Sequence, residues 1–188
     1  KTFIMILLSA ITIIIAILIV LFLIFVYNQL TKSRILLKEA WSGIGTFLQQ
    51  RNDVIPSLVE IVKGYVEHEN KTLVEVTKWR NKSAMATSPA EQSEASAGLN
   101  KALLDFYQVS EQYPELKANE NFMHLQNELT EIEVKLNNSR RYYNGTVREY
   151  NQQRAVFPQN IIASLFNFLP EEFFEEEESA KIAPKINF

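Results

Sequence analysis

Between Phe3 and Tyr27 the chain carries no charged residue, and Ser9 and Thr12 are the polar exceptions in an otherwise apolar run. A hydrocarbon core of roughly 30 Å is crossed by about 20 helical residues, so this run is long enough to span a bilayer. The competing reading is a cleaved signal peptide, whose apolar core has about 7 to 15 residues and is followed by small residues at a cleavage site. Here the run is longer and helix-forming sequence follows it directly. A transmembrane anchor over residues 1–28 is therefore expected, with the lipid bilayer as a partner. Lys1 precedes the run, whereas Lys32, Arg34 and Lys38 follow it. That excess of positive charge predicts a single-pass membrane protein whose C-terminal domain is cytoplasmic.

About 160 residues remain after the run, the usual size of one domain with one core. Glycine and proline are few, at 5 and 6, while Ala, Leu, Glu, Lys, Gln and Asn are plentiful; this composition favours helix over strand. There is no cysteine, which removes disulfides, thiolate metal sites and thiol nucleophiles together and suits a reducing compartment. The net charge of −3 is small and Lys and Arg are scattered. Nucleic acid, which requires a basic patch, is excluded as a partner.

The pattern after the anchor is helical. Leu30, Leu37, Trp41, Ile44, Leu48, Ile55, Leu58, Val62 and Tyr65 follow steps of three and four, with Arg34 and Arg51 in the gaps, which is a core-facing stripe. Phe47, Val54 and Ile61 widen it beyond the seam of a two-stranded coiled coil. No turn signal separates Tyr27 from Ser33, so the anchor is expected to run unbroken into this helix. Pro56 cannot donate to the carbonyl of Asn52, which predicts a kink. Gly64 and the polar run from His68 to Lys71 suggest a turn, and Leu73, Val76 and Met85 belong to a second helix ending near Thr87. Ser88, Pro89 and Glu91 match a helix start with a capping hydroxyl, a first-turn proline and a carboxylate three residues after the cap. This third helix is expected to reach about Gln112 and to end at Tyr113-Pro114. Asn119 is the expected cap of a fourth, on which Phe122, Leu125, Leu129, Ile132, Leu136, Tyr143, Val147 and Tyr150 keep helical spacing up to Phe157-Pro158.

The expected fold is all-α: an N-terminal transmembrane helix continuous with an up-and-down antiparallel bundle of four long helical segments over residues 29–157, then a short C-terminal helix and acidic tail over 158–188. The first and fourth helices would each be roughly 55 Å long and the second and third about half that. Either the short pair covers one half of the long pair, or it forms one broken helix and gives three rods. In the first case an uncovered apolar strip beside the membrane would be buried against neighbouring copies, predicting a homo-oligomer. Residues 158–169 carry Ile161, Ile162, Leu165, Phe166, Phe168 and Leu169 and must dock on something. Amphipathic surface helices usually present Lys or Arg; this one has neither, so a protein surface is favoured over lipid. The acidic stretch Glu171 to Glu178, with Phe173 and Phe174 in it, reads as solvated, and Pro184 to Phe188 as an extended end.

No catalytic apparatus is visible. His68 and His124 stand in no metal-binding spacing: Thr72 occupies the second histidine position of H-E-x-x-H, and Asn121 the position three before His124 where a di-iron Glu-x-x-His motif needs a carboxylate. His68-Glu69 reads as a solvated turn. There is no glycine-rich phosphate loop, nucleophile elbow or triad, so neither an enzyme nor a cofactor nor a metal is expected. Arg51 interrupts the apolar stripe, and its guanidinium must either pair with a carboxylate at the same level, where Glu133 falls, or reach water along its stem. Tyr142, Tyr143 and Tyr150 read as core and core-edge packing. The residues expected to carry structure and interaction are Trp41, Arg51, Pro56, Glu133, Tyr143, Ile161, Ile162, Leu165, Phe166 and Phe168.

The chain also resembles a known family. Tyr27-Asn28, Ala40-Trp41, Arg51 with Asp53 and Ile55-Pro56, Lys63-Gly64-Tyr65, His68-Glu69, Tyr113-Pro114-Glu115-Leu116-Lys117-Ala118-Asn119, Arg141-Tyr142-Tyr143-Asn144, Tyr150-Asn151, Phe157-Pro158 and Pro184-Lys185-Ile186-Asn187-Phe188 stand in order along nearly the whole sequence. Together they are similar to the LemA family. The resemblance implies a bacterial, membrane-anchored helical protein with an up-and-down four-helix domain, hence the inner membrane, and it implies no established biochemical activity. Ser83 to Lys101 matches the family least. The function expected is a non-enzymatic scaffold that self-associates through bundle, anchor and C-terminal helix. The alternative is a binding or sensory module that recruits an unidentified cytoplasmic protein or a lipid surface.

Overall fold

The computed structural model describes residues 2–65 and 70–174. His68, Glu69 and the tail beyond Phe174, for which a solvated turn and an extended end were expected, lie outside the described residues. Among the described residues six helices succeed one another: α1 (Thr2–Lys63), α2 (Asn70–Met85), α3 (Pro89–Ser110), α4 (Pro114–Lys117), α5 (Glu120–Ala155) and α6 (Gln159–Leu165). The described residues contain no strand, and the fold is all-α as the sequence predicts.

α1 runs without interruption through Tyr27 to Ser33 and on to Lys63, with Pro56 inside it. The short pair, left open between two arrangements by the sequence, is two separate helices: Ser88 caps α3, its hydroxyl accepting from the Glu91 N–H while the Glu91 carboxylate accepts from the Ser88 N–H. The Thr87 and Ser88 amides hold that carboxyl below the usual carboxylate range. α4 was not anticipated. Tyr113-Pro114 ends the preceding helix, but proline also pre-sets the first-turn geometry, so a new turn starts at Pro114 at once. Asn119 then caps α5, its Oδ1 accepting from the Phe122 N–H at 3.1 Å.

The chain divides into two compact units, residues 1–39 with 145–171 and residues 40–144 with 172–188. In the second unit the core joins Ile55, Leu58, Val59 and Val62 of α1 to Leu73 and Val76 of α2, Leu99, Leu103 and Phe106 of α3, Leu116 of α4, and Phe122 and Leu129 of α5. Directions alternate. Ser83 accepts from both Asn52 and Gln92 at one level, whereas Tyr65 accepts from Asn119 at 3.0 Å and Phe106 meets Phe122 at 6.4 Å at the other. α2 and α3 approach so closely that a Cβ at Gly98 would lie 2.3 Å from the Trp79 ring.

In the first unit, Val26, Leu30 and Leu37 of α1 are buried, as are Val147 and Tyr150 of α5 and Ile162 and Ala163 of α6. The Ser33 hydroxyl donates to Gln153 at 2.6 Å. The apolar residues of α1 from Phe3 to Phe25 stay exposed apart from the half-buried Leu23, at 78% and 66% for Phe3 and Phe25, and α1 is long and apolar enough to cross a membrane.

Candidate interaction site: a C-terminal segment held along α5

After α6 the chain reverses and becomes extended. Asn167 adopts φ 56°, a left-handed conformation that Asn tolerates better than most residues. The Phe168 N–H returns to the Ala163 carbonyl at 2.8 Å and the Asn167 N–H to Ser164 at 3.4 Å. These are the paired bonds of a Schellman motif, with Asn in the place glycine usually takes.

From there α5 side chains read the backbone of the segment. In the first unit, Arg154 Nε donates to the Phe168 carbonyl at 3.0 Å and the Tyr150 hydroxyl to Leu169 at 2.9 Å. Asn151 then grips Glu171 by both backbone groups: Nδ2 donates to its carbonyl at 2.8 Å and Oδ1 accepts from its N–H at 3.0 Å. Arg34 Nε lies 4.0 Å from the Glu171 carboxylate. Burial pushes the Tyr150 phenol up, with Arg34 opposing. The second unit repeats the device. Tyr143 donates to the Glu172 carbonyl at 2.9 Å, and Asn144 pairs with both backbone groups of Phe174 at 2.9 and 2.8 Å. In each case a Tyr-Asn dipeptide takes one carbonyl and the whole backbone edge of the residue two further on. The repeat is seven residues on the helix and three on the segment, about 10.5 Å and about 10 Å of rise respectively, so the two periods match.

The segment's side chains fill what the backbone bonds leave. Phe174 is buried at 3%, with Trp41 6.5 Å away and the Arg140 guanidinium 4.8 Å over its ring; Trp41 also lies 5.4 Å from Tyr143. The expectation that the acidic stretch is solvated therefore fails for Phe174 and in part for Glu171, while Glu172 and Phe173 keep their side chains exposed. Charge suggested water, but backbone groups, which charge patterning ignores, anchor the segment, and Phe174 follows them into the core. Tyr142, expected at the core or its edge, is 56% exposed.

Of the residues singled out in the sequence, Arg51 is buried at 1%. Its Nη1 donates to Glu133 Oε2 at 2.8 Å and Asn100 Oδ1 at 3.1 Å, while Arg140 donates to Glu133 Oε1 at 3.2 Å. Pro56 is exposed inside α1, and Arg80 bonds the Asn52 carbonyl behind it. Ile162 and Phe168 are buried, but Ile161, Leu165 and Phe166 are not. Sequence reasoning named Asn144 and Asn151 only within the segments that carry the family resemblance and gave them no role, and it did not single out Arg154 or Arg80. The doubled Tyr-Asn, seven residues apart, was the available signal for the first two. Among the described residues no three His, Asp or Glu side chains gather as a metal site requires.

The profile of the LemA family matches residues 40–188. The chain is similar to Protein LemA of Metamycoplasma hominis, with 26% identity over 159 residues, covering 82% of this chain and 71% of that one. It is also similar to the magnetosome proteins MamQ 1 and MamQ 2 of Paramagnetospirillum magneticum. Each is 30% identical over 83 residues, covering 44% of this chain and 30% of the relative.

Proposed function

The chain belongs to the LemA family, and from that premise we propose that it is a non-enzymatic, membrane-anchored scaffold that self-associates. Residues 1–28 cross the cell membrane once, and the positive charges of Lys32, Arg34 and Lys38 keep the C-terminal domain on the cytoplasmic side. The observation that carries this reading is the continuity of α1 from Thr2 to Lys63: a helix unbroken past Tyr27 restricts how the following residues can turn relative to the span. Copies so restricted present the same surfaces to one another, and exposed apolar side chains beyond the span, such as Ile35 and Leu36 on α1, are available to bury against a neighbouring copy.

The test is the mass of the full chain in detergent, measured by light scattering with the detergent contribution subtracted. A mass of several copies at micromolar concentration is expected, and a monomer would end the scaffold reading. Because the chain has no cysteine, Met123→Cys in intact cells reports orientation: labelling by an impermeant maleimide only after lysis is the expected result.

A further inference from the structure

Tyr27, where the apolar run of α1 ends, packs edge-on against Phe166 at 4.9 Å and Phe168 at 5.6 Å. Within this one unit, α6 and its flanks are thereby tied to the point at which α1 turns from apolar to polar. Ile162 and Phe168 face inward at 2% and 5% exposure, whereas Phe157, Ile161, Leu165 and Leu169 face outward at 78%, 56%, 71% and 60%. Through Phe166 and Tyr27, both partly exposed, this outward face joins the exposed flank of α1. Whatever apolar phase covers the end of that flank also reaches the face beside it.

We propose that Phe157, Ile161, Leu165 and Leu169 form a wedge that inserts into the headgroup and upper acyl region of the bilayer, on the side where α1 leaves it. The proposal rests on α1 being a membrane span. The lack of Lys and Arg between Val156 and Leu169 fits this occupant once the tether is considered. Basic side chains draw a free amphipathic helix from bulk water onto an anionic surface. A segment on the same chain as a span is already at that surface, and its effective concentration there is set by the tether. Apolar area alone then suffices, and aromatic and aliphatic residues are what the interface takes up.

Single-cysteine variants of the full chain, Ile161→Cys and Leu165→Cys, carry a nitroxide label in phosphatidylcholine vesicles, and collisions with oxygen and with a water-soluble nickel chelate are compared. Phe25→Cys is the lipid reference and Met123→Cys, on α5, the aqueous one. At both wedge positions oxygen is expected to collide as often as at position 25 and nickel severalfold less often than at position 123, with no change when anionic lipid is added. Nickel accessibility like that at 123, or shielding from both probes as a contact with a second copy would give, overturns the wedge. Nickel accessibility at position 25 itself would instead overturn the span, so the two failures are separable.

Discussion

Arg80 supplies the hydrogen bond that Pro56 withholds. Inside α1, Pro56 has no N–H for the carbonyl of Asn52, and Arg80 Nε, arriving from α2, donates to that carbonyl at 3.0 Å. Asn52 is buried at 3%, so an unpaired carbonyl there would cost about 1–3 kcal/mol. Arg80→Leu should lower stability by about that amount. In a Pro56→Ala background, where an N–H is restored to the helix, the same substitution should cost much less. Chemical denaturation of the four proteins, followed by circular dichroism, measures the coupling; equal costs in both backgrounds would show that Arg80 does not answer for the proline.

Asn144 and Asn151 each satisfy a donor and an acceptor on one residue of the segment, and aspartate separates the two roles. Asn144→Asp keeps the acceptor for the Phe174 N–H but places a carboxylate oxygen against its carbonyl. Both Asn144→Asp and Asn144→Ala should speed hydrogen exchange at Phe174, and alanine should destabilise by about 1–2 kcal/mol. Exchange unchanged in both variants would mean that Phe174 packing holds the segment alone.

Removal of the two partners of the buried ion pair should have unequal effects. Glu133→Ala leaves the Arg51 guanidinium buried with Asn100 as its partner, a loss on the order of 3–5 kcal/mol. Arg51→Met leaves Glu133 with Arg140, and replaces a group whose Nε and Nη2 find no acceptor among the described residues. It should be clearly the milder change in an unfolding titration. A larger loss for Arg51→Met would reverse the assignment of which partner is stranded.

Alanine in place of Gly98 would ordinarily stabilise a helix by about 1 kcal/mol. Here its Cβ would meet the Trp79 ring at 2.3 Å, and a ring cannot yield as a flexible chain end does. Gly98→Ala should therefore destabilise by about 1–3 kcal/mol, and Trp79→Leu in the same chain should recover part of the loss. A stabilised single variant in thermal unfolding would exclude this contact.

Burial raises the Tyr107 phenol from 10.0 to about 12, so the fold favours its neutral form. That contribution is complete below the unfolded value near 10 and is lost as pH rises through the folded one. Tyr107→Phe should leave neutral-pH stability nearly unchanged and flatten the decline between pH 10 and about 12. An identical alkaline limb in both proteins would place the titration elsewhere.

Features legible in the sequence were those decided within a few residues. The length of the apolar run, the three-and-four spacing of Leu30 to Tyr65, the Ser88 to Glu91 capping box and the Asn119 cap each express a bond or a face closed inside one or two helical turns. α4 shows the limit even there, because Pro114 both stops one helix and starts the next, and sequence alone gives no weight to the second role. Arg51 required a partner for a reason of solvation that any buried charge obeys, so Glu133 was reachable by counting levels; Asn100 and Arg140 were not.

The sequence by itself determined the long helices, most of their ends and the span-length run, since those depend on local hydrogen bonding and side-chain period; it missed α4 and carried the C-terminal helix past Leu165, where it stops. Only the tertiary structure decided that the backbone of Glu171 to Phe174 follows α5 and buries Phe174, that Arg80 reaches the carbonyl behind Pro56, and that α6 turns Ile162 inward and Leu165 out. Each of these joins groups whose separation along the chain says nothing of their distance. The rotation and level of packed helices settle them, and those are set by the whole core at once.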